Sequence, residues 1–145
     1  MLELTNINST FNLNNGVKIP CVGYGTFRTP ADVAEQAVKE AIETGYRHID
    51  TAAVYGNEEA VGKCIKDSGI KREDLFVTSK LWNTNRGYEQ TKKAFQETLD
   101  RLQMDYLDLY LIHWPANEKQ FGDDAAKINA ETWRAMEDLY NEGKI

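Results

Sequence analysis

The chain has 145 residues, enough to bury one substantial core. Its composition, 41% hydrophobic and 28% charged, is that of a soluble globular protein, and its longest apolar run, near Leu107–Ile112, falls far short of the roughly 20 residues a membrane helix needs. The net charge of −6 argues against a nucleic-acid surface, which needs clustered Lys and Arg, but leaves room for a locally positive pocket that takes an anionic small molecule.

Met1–Thr10 has no basic stretch followed by an apolar one, which speaks against a secretory leader. Cys21 and Cys64 show neither CxxC nor metal-like spacing, so a reduced, cytoplasmic setting is the simplest reading. Phe11–Pro20 reads as a hairpin, because Asn14-Asn15-Gly16 supplies the positive-φ residues of a tight turn. Cys21–Phe27 reads as a short strand. A helix follows, capped by Thr29 with Pro30 at its first position. Ala34, Ala37, Val38, Ala41 and Ile42 share one face of it, and Gly45 is placed to end it. Arg47–Ala52 is the second strand. Asn57 caps the next helix, which turns Val61, Cys64 and Ile65 inward and closes at Ser68-Gly69. Leu75–Leu81 is the third strand. Thr91, Ala94, Phe95, Thr98, Leu99 and Leu102 line the third helix at helical spacing. Tyr106–His113 is the fourth strand. Asn117–Lys127 reads as a polar, charged loop. Trp133, Met136, Leu139 and Tyr140 make the last helical face, which Gly143 ends. Lys144-Ile145 reads as the first step into another strand.

A hairpin followed by four βα units predicts a parallel sheet with right-handed crossovers. Two closures compete. An open doubly wound sheet fits within this length, whereas a (β/α)₈ barrel needs roughly 250 residues. Because the chain stops where a fifth unit would begin, the reading is α/β, the N-terminal half of such a barrel. Residues 1–145 then form a single domain, with the hairpin at 11–20 and the four βα units at 21–145.

Asp50 follows Ile49 in an apolar strand, where an unpaired carboxylate costs several kcal/mol. Lys80 lies at the end of the third strand and His113 at the end of the fourth, while Tyr55 follows the second. In a parallel sheet these ends share one rim, so Asp50, Tyr55, Lys80 and His113 can converge. Taken singly, they are an ion pair, a packed ring and a structural histidine. Together, on the rim where barrels do chemistry, they read as a site. A free phenol, with a pKa of about 10, is a poor acid near neutrality. A neighbouring ammonium favours the phenolate. Asp50 would hold Lys80 charged, and neutral His113 would donate a hydrogen bond to a carbonyl oxygen. Tyr55 would protonate that oxygen as hydride reaches carbon. No side chain donates hydride, so a nicotinamide cofactor is implied.

Phe27, Trp82 and Trp114 also fall at strand ends, either as rim packing or as the apolar wall of a pocket for a small carbonyl substrate. Gly23-Tyr24-Gly25 suggests a dinucleotide fingerprint but lacks its third glycine. The plainer reading is a turn where backbone passes close to a partner, which could still be a cofactor. Two other functions compete. His48, Asp50 and His113 could ligate a metal in a hydrolase, although Lys80 claims Asp50. A non-catalytic half-barrel could instead self-associate through its two open edges.

Three segments, His48–Glu58, Thr78–Trp82 and Leu109–Pro115, strongly resemble the aldo-keto reductase family, and the likeness runs over essentially the whole chain. It is greatest to the bacterial members that reduce glyoxals and diketo-acids such as diketogluconate. The resemblance implies an NADPH-dependent (β/α)₈ enzyme, with Asp50, Tyr55, Lys80 and His113 as catalytic residues. Tyr55 would be the proton donor, assisted by Lys80. Gly25, Thr26, Phe27 and Asp50 would border the cofactor, and Phe27, Trp82, His113 and Trp114 the substrate. No metal, nucleic-acid or membrane partner is implied. Family members carry four more βα units, which include the segments that clamp the cofactor's phosphates. The expectation is therefore a monomer for the full-length parent, with activity needing both halves, and self-association for this half alone.

Overall fold

Gly16, at φ 83°, turns β1 (Thr10–Asn12) back onto β2 (Lys18–Pro20) as an antiparallel ribbon. This is a computed structural model, and it describes residues 4–145. After the ribbon come β3 (Tyr24–Gly25), α1 (Ala31–Thr44), β4 (His48–Asp50), α2 (Glu58–Asp67), β5 (Phe76–Leu81), α3 (Tyr88–Leu102), β6 (Leu109–Ile112), α4 (Glu118–Phe121) and α5 (Asp124–Asn141).

The sheet decides between the two closures. Its strands run parallel in the order β3-β4-β5-β6, without the reversal that defines a doubly wound sheet. The helices also pack on one another in sequence: α1 on α2, α2 on α3, α3 on α5. They therefore cover one face of the sheet, as in a barrel wall. The core lies between them, with Ile49, Val77, Leu81 and Tyr110 of the strands against Val38, Val61, Phe95, Leu99 and Met136 of the helices. Strand alternation turns His48, Asp50, Thr78 and Lys80 the other way. The fold is the N-terminal half of a (β/α)₈ barrel, four βα units behind a β-hairpin.

Several boundaries differ from expectation. Pro30 is itself the N-cap of α1, with ψ 149°, and no side chain caps that end. Asn57 occupies the N-cap position of α2, but its side chain bonds elsewhere. Residues 117–127 are not all loop. The Asn117 side chain accepts a hydrogen bond from the Gln120 backbone and caps α4, Gly122 breaks the chain at φ 54°, and α5 starts at Asp124. On α5 the inward face is Ala125, Thr132, Ala135, Met136 and Leu139, while Trp133 and Tyr140 stand more than half exposed. Much of the buried face is made of small residues, so the bulky aromatics misplaced the apolar stripe. Ala37 is only half-buried. Finally, the Leu107 amide donates to the Lys144 carbonyl at 3.0 Å, which lays the last residues beside the start of β6 as a following strand would lie.

Candidate active site

Each polar group at the rim is carried there by a different strand end. β4 is held in register by the Thr26 amide donating to the Asp50 carbonyl (2.9 Å) and the Thr51 amide donating to the Thr78 carbonyl (2.9 Å). Asp50 is the last residue of β4 and pairs in register with Gly25 of β3. Lys80 is next to last on β5, and His113 follows β6, its amide donating to the Leu81 carbonyl at 3.1 Å. Tyr55 ends a single 3₁₀ turn, Ala53–Tyr55, which Gly56 closes at φ 68°.

Lys80 Nζ is the hub. It donates to Asp50 Oδ1 at 2.6 Å, to the Thr51 carbonyl at 2.8 Å and to Tyr55 Oη at 3.3 Å. An ammonium has three N–H donors and no acceptor, so these three contacts use it completely. The phenol oxygen is then an acceptor toward Lys80, and its own O–H is free to point into the cleft. The Lys80 side chain is 13% exposed and that of Asp50 33%. The carboxylate that the sequence reading required to have a partner therefore has one.

The His113 ring meets the Tyr55 ring edge-on at 5.8 Å and the Trp82 ring at 5.3 Å. Burial first, and then the Lys80 charge, hold its pKa below the ordinary histidine value, with Asp50 opposing. The imidazole is accordingly neutral at pH 7, able to donate one hydrogen bond. Its Nδ1 is buried without a protein partner.

A cleft of about 550 Å³ opens beside these groups, lined by Phe27, Arg28, Val54, Tyr55, Trp82, His113 and Trp114. Phe27 and Trp114 are 63% and 62% exposed, an uncovered aromatic surface of the kind that awaits a ligand. Phe27 also packs against Tyr55, ring centres 5.2 Å apart. Arg28, which the sequence reading did not select, holds a left-handed backbone (φ 59°) that costs a non-glycine residue about 1–2 kcal/mol. Its guanidinium lies over the Phe27 ring at 5.2 Å.

Of the positions proposed to border a cofactor, Gly25 and Thr26 differ sharply. A Cβ placed on Gly25 would meet nothing within 4 Å, so the backbone there gives onto open ground beside Asp50. Thr26 is wholly buried, its hydroxyl turned to Asn57, and it offers the cleft no side chain. Open ground over Gly25, an exposed Phe27 ring and the Arg28 cation suit the flat ring and negative charge of a nicotinamide cofactor.

The alternative metal set does not assemble. His48 Nε2 is bonded to Thr78 Oγ1 at 2.9 Å and Asp50 is taken by Lys80. Among the described residues no three His, Cys, Asp or Glu are grouped to hold a metal ion.

Sequence reasoning missed three residues behind the site. Asn57 and Glu58 are each 1% exposed, and both bond into the strands that carry the rim. Arg86 donates through Nε and Nη2 to the Trp114 carbonyl, at 2.9 and 2.6 Å, and fixes the loop after His113. Only the place of Asn57-Glu58 directly after Tyr55-Gly56 could have marked the first two, since a polar pair opening a helix ordinarily reads as capping.

A barrel-type parallel sheet with a tyrosine, a lysine, an aspartate and a histidine gathered at its carboxyl rim places the chain among the α/β-barrel proteins. The Aldo/keto reductase family profile matches residues 21–145, and the chain belongs to the aldo-keto reductase family. It is 52% identical over 142 residues to the glyoxal reductase of Bacillus subtilis, covering 97% of this chain and 48% of that protein. In structure it is similar to an aldo/keto reductase from Brucella melitensis (TM-score 0.85, 52% identity, 93% of this chain and 50% of that one). It is also similar to a Bombyx mori aldo-keto reductase solved with NADP (TM-score 0.85, 42% identity, 97% and 49%). The chain spans about half the length of the curated relatives it matches.

Proposed function

We propose that this chain carries the proton-donating half of an NADPH-dependent reductase that converts small aldehydes and ketones to alcohols, and that residues 1–145 act in it as one domain. The observation that carries the proposal is the Lys80 ammonium held between Asp50 (2.6 Å) and the Tyr55 hydroxyl (3.3 Å) at the mouth of the aromatic cleft.

A substrate carbonyl enters between Phe27, Trp82 and Trp114, whose apolar faces line its path. Its oxygen accepts a hydrogen bond from neutral His113, which fixes its direction. Tyr55 Oη gives its proton to that oxygen as the alkoxide develops, and the phenolate left behind is stabilised by Lys80. Asp50 keeps Lys80 aimed. When bound, a reduced nicotinamide supplies the hydride that reaches the carbonyl carbon, so the carbonyl gains one hydride and one proton. Gly25, Phe27 and Asp50 would border that cofactor, with Thr26 contributing backbone only. The NADP complex of the Bombyx relative supports the choice of cofactor. A cytoplasmic setting belongs to the same proposal. Among the described residues no helix is long and apolar enough to cross a membrane.

The test is Tyr55→Phe, assayed by NADPH oxidation with a small aldehyde in a barrel completed by the second half of a family member. Turnover should fall by at least about 10²-fold. Near-normal turnover would remove Tyr55 from the acid role.

A second reading is a half-barrel that associates instead of catalysing. Leu111 of β6 favours it, standing 38% exposed on the sheet face that carries no helix.

A further inference from the structure

Tyr55 sits on a short turn with few holds of its own. Its neighbours Val54 and Gly56 are exposed, and the turn's internal backbone bonds are Tyr55 amide to Ala52 carbonyl (3.0 Å) and a long Gly56 amide to Ala53 carbonyl (3.4 Å). The next two residues are the opposite. Asn57 Oδ1 accepts from Thr51 Oγ1 at 2.9 Å and from Thr26 Oγ1 at 3.4 Å, and its Nδ2 donates to the carbonyls of Thr26 (3.0 Å) and Thr29 (2.9 Å). Both lone pairs and both amide protons are used. The far end of the turn is thus tied to Thr51, two residues before its start, and to the segment that follows β3.

Glu58 makes the second tie. Its Oε1 accepts from Ser79 Oγ at 2.5 Å, and its Oε2 accepts from Arg101 Nε at 2.7 Å. Ser79 is the residue before Lys80 on β5, with its side chain on the helix face while that of Lys80 faces the rim. A carboxylate buried this completely costs several kcal/mol unless it is paired and bonded. A merely space-filling position would be served as well by an apolar side chain, whereas a bond to Ser79 gives a definite register.

We infer that Asn57 and Glu58 form a clip that sets the distance between Tyr55 Oη and Lys80 Nζ, which makes them positioning residues for the proton donor. Asn57 ties the Tyr55 turn to the segment that follows β3, and Glu58 ties it to β5 one residue from Lys80. Neither touches the cleft. The functional meaning of the inference rests on the reductase reading above.

The test uses this chain in a barrel completed by the second half of a family member, labelled with ¹³C at the tyrosine ζ position, with the Tyr55 resonance identified by its loss in Tyr55→Phe. Lys80→Met is the reference for a broken Tyr55–Lys80 contact. Ser79→Ala and Glu58→Gln are expected to move the Tyr55 resonance at least half as far as Lys80→Met does, and to weaken the cross-relaxation between the Lys80 ε-protons and the Tyr55 ring. The resonances of Tyr24 and Tyr46, whose rings meet edge-on at 5.9 Å, should stay in place and report an intact fold. If Glu58→Gln fails to fold, Ser79→Ala carries the test, since it removes one hydroxyl and leaves the Glu58–Arg101 pair. If Lys80→Met moves the resonance and the other two variants leave it still, the clip is refuted and the Tyr55–Lys80 contact survives. If Lys80→Met moves nothing, the contact falls, and the clip with it.

Discussion

Two histidines differ from ordinary ones in the same direction for related reasons. Burial is the largest cause at both His113 and His48. Lys80 adds to it at each, while Asp50 opposes it at each and the Pro20 backbone bond opposes it at His48. Each folded ring therefore takes up its proton at a lower pH than the unfolded chain, whose histidines titrate near about 6.5. Between the folded value and about 6.5 the unfolded chain holds more protons, so stability rises with pH across that window. Their contribution is complete above about pH 6.5 and is lost as pH falls through it. Imidazole ¹⁵N titration should place the His113 midpoint below about 6.5, and a midpoint at or above that would contradict first the burial of the ring and then the influence of Lys80. The slope of melting temperature against pH just below this range should shrink in His113→Gln. At this scale the sequence was informative: an aspartate in an apolar strand demanded a cation, and Lys80 supplies it. It put Thr26 beside the cofactor with Gly25 and Phe27, yet that side chain faces inward, because nothing in Gly25-Thr26-Phe27 says which of three consecutive side chains the turn buries.

Helix α2 shows how an element is tuned by its neighbour. Gly62 sits mid-helix, where glycine ordinarily costs about 1 kcal/mol relative to alanine. Here a Cβ would lie 2.3 Å from the Leu102 carbonyl oxygen and 2.6 Å from its Cα. That obstacle is backbone and cannot swing aside, so α2 and α3 would have to part. Gly62→Ala is therefore expected to destabilise the chain by about 1–3 kcal/mol despite its better helix propensity. Denaturant unfolding measures this, and a midpoint equal to or above the parent's would show that the helices can separate freely. The faces of α2 and α3 were legible because large apolar residues mark them. That of α5 was displaced because Ala125, Thr132 and Ala135, much of its buried face, carry little apolar signal, while Trp133 and Tyr140 carry much and face outward.

For the molecule as a whole, the arrangement of helices on one sheet face leaves the other without a helical layer. Leu111 is exposed there, and β6 pairs with β5 on one side. An edge of this kind recruits further strands. In sizing experiments the 145-residue chain by itself should elute larger than its 16.5 kDa monomer or unfold without a sharp transition. A monomer peak with a cooperative melt would count against the self-associating reading.

The order of elements, the parallel sheet and the identity of the four rim residues follow from the amino-acid sequence, because apolar periodicity and the cost of burying charge are local properties of the chain. The half-barrel expected from the sequence is the fold observed, but what excludes a doubly wound sheet is the strand order and the helices packing in sequence, which are relations between distant segments. The same holds for the Asn57–Glu58 clip: residues that look like helix caps became ties between strands only once Thr26, Thr51, Ser79 and Arg101 were brought around them. A hydrogen bond's partner is set by three-dimensional proximity, and no spacing along the chain encodes it.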